Sequence, residues 1–278
     1  MPAPRIRHVI LDFDGTCTQV DQIQAKFLDD YRQAVGVEVK AWDRAKATLT
    51  KASPTAGWTL MNAPSTAPAA ADPYILAGEA AALLYREQGK QAPDVFRAVY
   101  DKNVAPFRPE VHDVIEALLE HKIRVALISN SDGLGIRNRI ADLFHRAPAR
   151  HAAIPVFGGA QKFLVKEPLV DSKLTPVQRA RFAGLEVAMR VAQLGRPVYL
   201  RRGAYFEALC ATTYPMEQTL VCGDIWELDL ALPAALGAQV HLIERAAPFE
   251  TYRYERERLA KGQSSLTLEG VLARVGLS

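Results

Sequence analysis

Short apolar segments alternate with amphipathic helical segments along most of this chain, and this alternation limits the fold more than any other feature. Three apolar runs have the length of strands and end abruptly in polar residues, at 9–11, 123–128 and 219–222. Strands that alternate with helices predict a parallel sheet with helices on both faces. The chain has 278 residues, 49% of them hydrophobic, which suffices for this core and a second, smaller domain.

One long stretch interrupts the alternation. Residues 18–105 lack strand signals and carry several helical patterns, and the segment 51–73, rich in Ala, Pro, Ser and Thr, is predicted to be a loop. We therefore predict an α/β fold with a Rossmann-like, doubly wound parallel sheet as its core, over 1–17 and 106–278. A mostly α-helical cap domain is inserted after the first strand, at 18–105.

The second half of the chain contains a segment with a clear helix start. Thr175 can act as an N-cap with Pro176 at the first helical position, and the helix is predicted to run to Gly195. One or two strands are predicted between 153 and 165.

Composition excludes several classes of function. The net charge is +3, from 34 basic and 31 acidic residues that are scattered, so we expect no nucleic-acid partner. No apolar run approaches the roughly 20 residues that cross a bilayer, so no membrane association is expected. The first apolar stretch is too short for a signal peptide, and a cytoplasmic location is expected. Three widely spaced cysteines support neither a disulfide framework nor a zinc site.

The polar residues that end the three strands carry the functional signal. Asp12 and Asp14 follow the first strand, Ser129 and Asn130 the second, and Asp224 the third. Each group alone is explained by a turn or a helix cap. Because the carboxyl ends of parallel strands lie along one edge of a sheet, where ligands bind in open α/β folds, all three together favour a site.

These residues resemble the motifs of the haloacid dehalogenase-like hydrolases, specifically the phosphatase branch of that superfamily. The resemblance covers the core, about 1–17 and 106–245, and does not extend over the insert. The matching residues are Asp12, Phe13, Asp14, Gly15 and Thr16 for the first motif, Ile128, Ser129 and Asn130 for the second, and Gly223, Asp224 and Asp229 for the fourth.

The resemblance implies a division of catalytic labour. Asp12 would be the nucleophile that attacks phosphorus and forms an aspartyl-phosphate. Asp14 would protonate the leaving oxygen and then activate water. Ser129 would donate a hydrogen bond to the phosphoryl oxygens, and Asn130 would help to bind the substrate.

The resemblance also implies a metal ion. Oxygen ligands suit Mg²⁺, which would be held by Asp12, by the backbone carbonyl of Asp14 and by Asp224. Asp229 would be a further ligand, or else a carboxylate at a helix N-terminus.

The family's third motif is a Lys or Arg that neutralises the nucleophile and the phosphoryl group, and here the sequence departs from the pattern. The usual place is the start of the helix before the strand that bears the fourth motif, where Arg201 and Arg202 stand. Lys162, Lys166 and Lys173 are alternative candidates for this cation. We favour Arg201 slightly over Lys166 as the catalytic cation.

The predicted function is that of a Mg²⁺-dependent phosphatase, a phosphoric monoester hydrolase acting on a small phosphorylated metabolite. A phosphomutase, a phosphonate hydrolase or a dehalogenase could share the scaffold, although a dehalogenase needs neither Asp14 nor Asp224. A glycine pattern at 133–138 would instead suggest dinucleotide binding, but its third position is Asn138 and the signal is weak. A noncatalytic binding module is the remaining alternative.

Overall fold

The computed structural model describes residues 5–60 and 63–277, so residues 1–4 and 278 of the predicted core and two residues of the predicted loop lie outside the described part. The strands are β1 (His8–Leu11), β2 (Gly57–Leu60), β3 (Ala63–Pro68), β4 (Arg124–Ile128), β5 (Val156–Phe157), β6 (Ala188–Arg190), β7 (Pro197–Tyr199), β8 (Thr219–Gly223), β9 (Gln239–Ile243) and β10 (Ser264–Ser265).

Twelve α-helices lie before, between and after these strands in the described part of the chain. They are α1 (Gln24–Ala34), α2 (Val39–Ala52), α3 (Pro73–Arg86), α4 (Phe96–Tyr100), α5 (Val111–Glu120), α6 (Gly133–Leu143), α7 (Pro148–Ala152), α8 (Pro176–Ala183), α9 (Gly203–Ala211), α10 (Ala231–Ala235), α11 (Arg253–Glu257) and α12 (Gly270–Val275). A single π-helical turn, Trp226–Leu230, leads into α10.

Six strands form the central sheet, in the order β10-β9-β8-β1-β4-β5, and every neighbouring pair runs parallel. At the end of β1, Leu11 pairs with Leu127 of β4 on one side and with Cys222 of β8 on the other. The three strands that carry the motif residues are therefore neighbours with their carboxyl ends aligned. This sheet and its flanking helices confirm the predicted fold class.

Each face of the sheet buries its own apolar cluster, because successive strand side chains point to opposite faces. Val9 and Leu11 pack with residues of α5, α6 and α12. Ile10 packs on the other face with residues of α8, α9 and α10.

The segment between β1 and α5 holds α1 to α4 and the hairpin β2-β3, around an apolar cluster of its own. The expectation of a loop over 51–73 is wrong in part, because β2 and β3 pair antiparallel there. Small side chains allow the close approach: Ala67 and Ala71 are fully buried against Ile225 and Leu228 of the core. The boundaries 18–105 stay a prediction.

Two short segments join this insert to the sheet, and they are paired with each other. Thr18 and Phe107 form an antiparallel bridge. The Gln19 amide donates to the Pro106 carbonyl, and the Arg108 amide donates to the Cys17 carbonyl, both at 2.9 Å. The chain therefore leaves and re-enters the core beside the end of β1.

Helix α8 begins as predicted and ends early. The Thr175 side chain accepts from the Gln178 amide in a capping box, with Pro176 at the first helical position. The helix stops at Ala183 rather than Gly195, because Gly184 follows it and the next residues pair as β6 with β7. Across 5–60 and 63–277, no helix is both long and apolar enough to cross a membrane.

Candidate active site

The end of β1 brings its two aspartates to the sheet edge through a turn that requires glycine. The Asp12 amide still donates to the Cys222 carbonyl of β8, at 2.9 Å, so Asp12 continues the strand. Gly15 has a φ of +83°, and a Cβ at this position would lie 2.3 Å from Asp224 Oδ2. The turn can therefore pass close to the acidic residue that follows β8 only because residue 15 has no side chain.

A buried lysine connects two of the carboxylates. Lys162 Nζ lies 2.6 Å from Asp12 Oδ1 and 2.9 Å from Asp229 Oδ1, and all three side chains are buried. Burial raises the pKa of Asp12 to about 7, an effect that Lys162 opposes and Asp229 reinforces. Burial would lower the pKa of Lys162, but the two carboxylates hold that pKa above its usual value. The lysine is therefore a fixed positive charge beside Asp12.

Three carboxylates at this edge form a cluster with the chemistry of a cation site. One oxygen each from Asp12, Asp224 and Asp229 lie within 4.8 Å of one another. Burial raises the pKa of Asp224 well above its usual range, and Asp229 raises it further. Within the described chain the Asp224 carboxylate has no hydrogen-bond donor, whereas Asp229 Oδ2 accepts from the Ile225 amide at 3.0 Å. Three clustered acids, only two of which pair with the lysine, fit a hard divalent cation, which would relieve their repulsion.

Asp14 lies at the same edge, but its carboxyl faces the insert. The Tyr100 hydroxyl, at the end of α4, donates to Asp14 Oδ1 and Oδ2, each at 3.0 Å. The Ser131 hydroxyl donates to Asp14 Oδ2 at 2.5 Å. Burial raises the pKa of Asp14, and the hydrogen bonds from Ser131 and Tyr100 oppose that rise. The Asp14 carboxyl therefore has hydrogen-bond partners of its own, separate from the cluster of Asp12, Asp224 and Asp229.

The residues that follow β4 support this arrangement. Ser129 is buried, its amide donates to the Phe157 carbonyl at 3.0 Å, and its Oγ accepts from the Ser131 amide at 3.1 Å. The Ser129 hydroxyl proton therefore remains available to a ligand. Asn130 Oδ1 accepts from the Lys162 amide at 2.7 Å, which ties the loop that carries the lysine to the end of β4.

The structure corrects the expected place of the cation. Arg201 does not reach the carboxylates: its guanidinium donates to the carbonyls of Ala183 and Leu185, and Glu167 lies 3.6 Å away. Lys166 and Lys173 are exposed and also stay outside the cluster. Lys162 stands beside Asp12 instead, because the loop after β5 turns back over the end of β1.

Arg202 lies directly behind this lysine and is fully buried. Its Nη1 donates to the Lys162 carbonyl at 2.9 Å and to the Leu228 carbonyl at 2.6 Å. Arg202 thus supports the backbone of the lysine loop and of the turn that bears Asp229, without touching the carboxylates.

A second buried ion pair holds the turn after β8. The Arg245 guanidinium donates to the Asp224 carbonyl and pairs with Glu255, whose Oε2 lies 2.6 Å from Arg245 Nη2. Glu255 Oε1 accepts from the Trp226 amide at 2.9 Å. The backbone on both sides of Ile225 is therefore fixed by one ion pair from the C-terminal segment.

Sequence reasoning missed two residues of this site, Ser131 and Tyr100, and did not favour a third, Lys162. Ser131 stood two residues beyond Ser129 in the same polar strand ending, so it could have been considered. Lys162 was named as a rival, and its place soon after a strand at the sheet edge was the signal. Tyr100 carried no signal, because nothing in the pattern of α4 indicates which side of the helix meets the core.

No protein-family model matches the sequence, and curated protein sequences give no match either. Solved structures do resemble it. A structure from Lactobacillus delbrueckii subsp. bulgaricus, assigned as a phosphoglycolate phosphatase, is 12% identical with a TM-score of 0.54, over 98% of this chain and 99% of that chain.

Two further structures match over nearly the whole of both chains, with slightly higher sequence identity and a lower TM-score. A HAD-hydrolase from Bacillus subtilis bound to magnesium is 13% identical with a TM-score of 0.49, over 98% of this chain and 100% of that one. A haloacid dehalogenase-like family hydrolase from Streptococcus pneumoniae is 14% identical with a TM-score of 0.49, over 97% and 98%. With the strand order and the insert after β1, the Lactobacillus structure shows that the chain shares the fold of that protein.

Proposed function

We propose that this protein is a Mg²⁺-dependent phosphatase that hydrolyses a phosphate monoester of a small molecule through an aspartyl-phosphate. The observation that carries the proposal is the pairing of Asp12, held by Lys162 within an acidic cluster, with a second carboxyl on Asp14 that is separately hydrogen-bonded. Because fold alone does not establish activity, these side chains are what support the proposal.

The two carboxyls suit the two halves of such a reaction. The Asp12 carboxylate would bond to phosphorus while the bond from phosphorus to the leaving oxygen breaks, and the electron pair would stay on that oxygen. Asp14, as an acid, would give the oxygen its proton. In the second half Asp14 would take a proton from water, whose oxygen bonds to phosphorus, and the Asp12 carboxylate would be released.

The remaining groups would supply charge and orientation. Lys162 would neutralise Asp12 and the phosphoryl oxygens, and Ser129 would donate a hydrogen bond to one of those oxygens. Mg²⁺ would be held by Asp12, Asp224 and the Asp14 carbonyl, with Asp229 beside them, and when bound it would offset the negative charge of the phosphoryl group.

Asp14 and Asp224 favour phosphate chemistry over dehalogenation. A dehalogenase on this scaffold needs neither a second carboxyl as acid and base nor a metal, whereas this chain has both a second carboxyl and a carboxylate cluster suited to a metal. The substrate would be covered by the segment 18–105, which we propose to be the cap domain, and a cytoplasmic location remains part of this proposal. The dinucleotide-binding alternative gains no support, since acids occupy the end of β1.

The test replaces the nucleophile and keeps its volume. In a Mg²⁺-dependent assay with an aryl phosphate, Asp12→Asn should lower turnover at least about a thousandfold without loss of folding. Asp113→Asn is the control, because that side chain is 88% exposed on α5. Wild-type turnover in Asp12→Asn would refute the assignment of Asp12 as the nucleophile. A wild-type protein that neither binds Mg²⁺ nor hydrolyses any phosphate ester would refute the function.

A further inference from the structure

The carboxyl of Asp14 is held by two hydroxyls that come from different parts of the molecule. Ser131 follows β4 in the core, while Tyr100 ends α4 in the insert. Asp14 Oδ2 accepts from both hydroxyls, at 2.5 Å and 3.0 Å, and the Ser131 hydroxyl also lies 2.9 Å from the Tyr100 oxygen. Asp14 Oδ1 accepts from Tyr100 alone within the described chain. Oδ2 is therefore held by two hydroxyls, whereas Oδ1 has only one hydroxyl partner.

The position of the Tyr100 hydroxyl depends on the position of the insert. Its ring packs against Tyr74 and Phe96, with centroid distances of 5.5 and 5.7 Å, and both residues belong to the insert. A few residues beyond α4, the Ala105 carbonyl accepts from Arg139 of α6 at 2.5 Å. The tyrosine ring is thus packed among insert residues, whereas Ser131 follows a strand of the central sheet.

We infer that Tyr100 is a positioning residue that orients the Asp14 carboxyl for proton transfer to the leaving oxygen, and does so only while the insert covers the site. This inference rests on the proposed function. Ser131 and Tyr100 would hold Oδ2, so that Oδ1 faces the departing oxygen and delivers the proton. After the bond from phosphorus breaks, Asp14 is a carboxylate and Tyr100 continues to donate to it while keeping its own proton.

This role has a consequence that a merely structural role lacks. A leaving group that is stable as an anion, such as p-nitrophenolate, needs little help from an acid, whereas an alkoxide needs a proton as it departs. Misplacing the Asp14 carboxyl should therefore slow aliphatic phosphate esters much more than p-nitrophenyl phosphate. Loosening of the insert or loss of substrate contacts would slow both.

The experiment compares kcat/KM for p-nitrophenyl phosphate and for a simple alkyl phosphate. Tyr100→Phe should lower the value roughly tenfold or more for the alkyl ester and less than about threefold for the aryl ester. Ser131→Ala should show the same selectivity, and the double variant should lose less than the product of the two single losses, because both hydroxyls act on one carboxyl.

The matched control removes a tyrosine hydroxyl elsewhere in the insert. The Tyr85 hydroxyl of α3 donates to the Val35 carbonyl at 2.7 Å and takes no part in the site. Tyr85→Phe should leave the ratio of the two kcat/KM values unchanged. Equal losses for both esters in Tyr100→Phe, or no loss, would overturn the inference and leave the proposed function intact. Absence of turnover in the wild type would overturn the proposed function, and the inference with it.

Discussion

At the scale of single residues, the cation of the site is the clearest difference between expectation and structure. The acidic residues were located from their strand endings, because β1, β4 and β8 are neighbours and a strand ending has a defined place in a parallel sheet. Lys162 sits in a loop, where spacing does not determine position. The sequence therefore indicates which carboxylates lie together at the sheet edge, but it does not distinguish among the five candidate cations.

The placement of Lys162 leads to a prediction that separates it from Arg201. Lys162→Gln should lower turnover of an aryl phosphate about a hundred- to a thousandfold, since it removes the positive charge beside Asp12. Arg201→Gln should stay within about twofold of the wild type, because its guanidinium binds carbonyls outside the cluster. Equal effects of the two substitutions would contradict this assignment, and thermal unfolding of both variants checks that the fold is intact.

At the scale of secondary structure, the buried parallel strands were the predictable elements and the two antiparallel hairpins were not. Continuous apolar runs such as Val125–Ile128 mark strands that are covered on both faces. The hairpins β2-β3 and β6-β7 contain Pro, Ser and Thr or are only partly buried, so their sequences look like loops. Tertiary contacts stabilise them: Trp58 of β2 packs on Phe163 with a centroid distance of 4.6 Å.

Glu79 attaches the hairpin β2-β3 to helix α3 and makes this attachment sensitive to pH. The carboxyl is buried and accepts from the Thr59 amide at 3.0 Å and from the Thr59 hydroxyl at 3.2 Å. Burial raises the pKa of Glu79 to about 7, although the Thr59 hydrogen bonds oppose the rise. A carboxyl with a raised folded-state pKa stabilises the fold at low pH, and that stability is lost as pH rises from the unfolded value through about 7.

Between pH 4.5 and a pH well above 7, the stability of Glu79→Gln relative to that of the wild type should therefore increase by roughly 3 kcal/mol. The free energy of unfolding of both proteins, measured with urea across this range, tests the prediction. Thr59→Val removes one of the opposing hydrogen bonds and should extend the loss of stability to higher pH. Parallel curves for Glu79→Gln and the wild type would show that this carboxyl does not titrate in the range.

At the scale of the whole molecule, the insert and the core meet at several points around the site. The Tyr252 hydroxyl lies 2.7 Å from Ser53 Oγ and donates to the Ala70 carbonyl at 3.1 Å. At the neighbouring residue, Arg196 Nε donates to the Pro54 carbonyl at 3.0 Å. These contacts hold the insert over the end of the sheet, and we propose that it turns about the paired segments near 16–20 and 105–109.

Tyr252→Phe should shift this arrangement toward an open form, because it removes two hydrogen bonds between the core and the insert. Each such bond contributes a net 0.5 to 1.5 kcal/mol, so the equilibrium should change by about 1 to 3 kcal/mol. In solution scattering without ligand, the radius of gyration of Tyr252→Phe should exceed that of the wild type. With Mg²⁺ and a phosphate mimic that bridges the two parts, the two proteins should converge.

Tyr214→Phe is the control for this measurement. Tyr214 packs on His8 of the core, with a centroid distance of 4.8 Å that phenylalanine would preserve, and it lies outside the insert. Its scattering should match the wild type in both conditions. If Tyr252→Phe and the wild type give the same curves with and without the mimic, the insert does not move about these segments. Tyr100 would then touch Asp14 permanently, and its effect on proton transfer would not depend on closure.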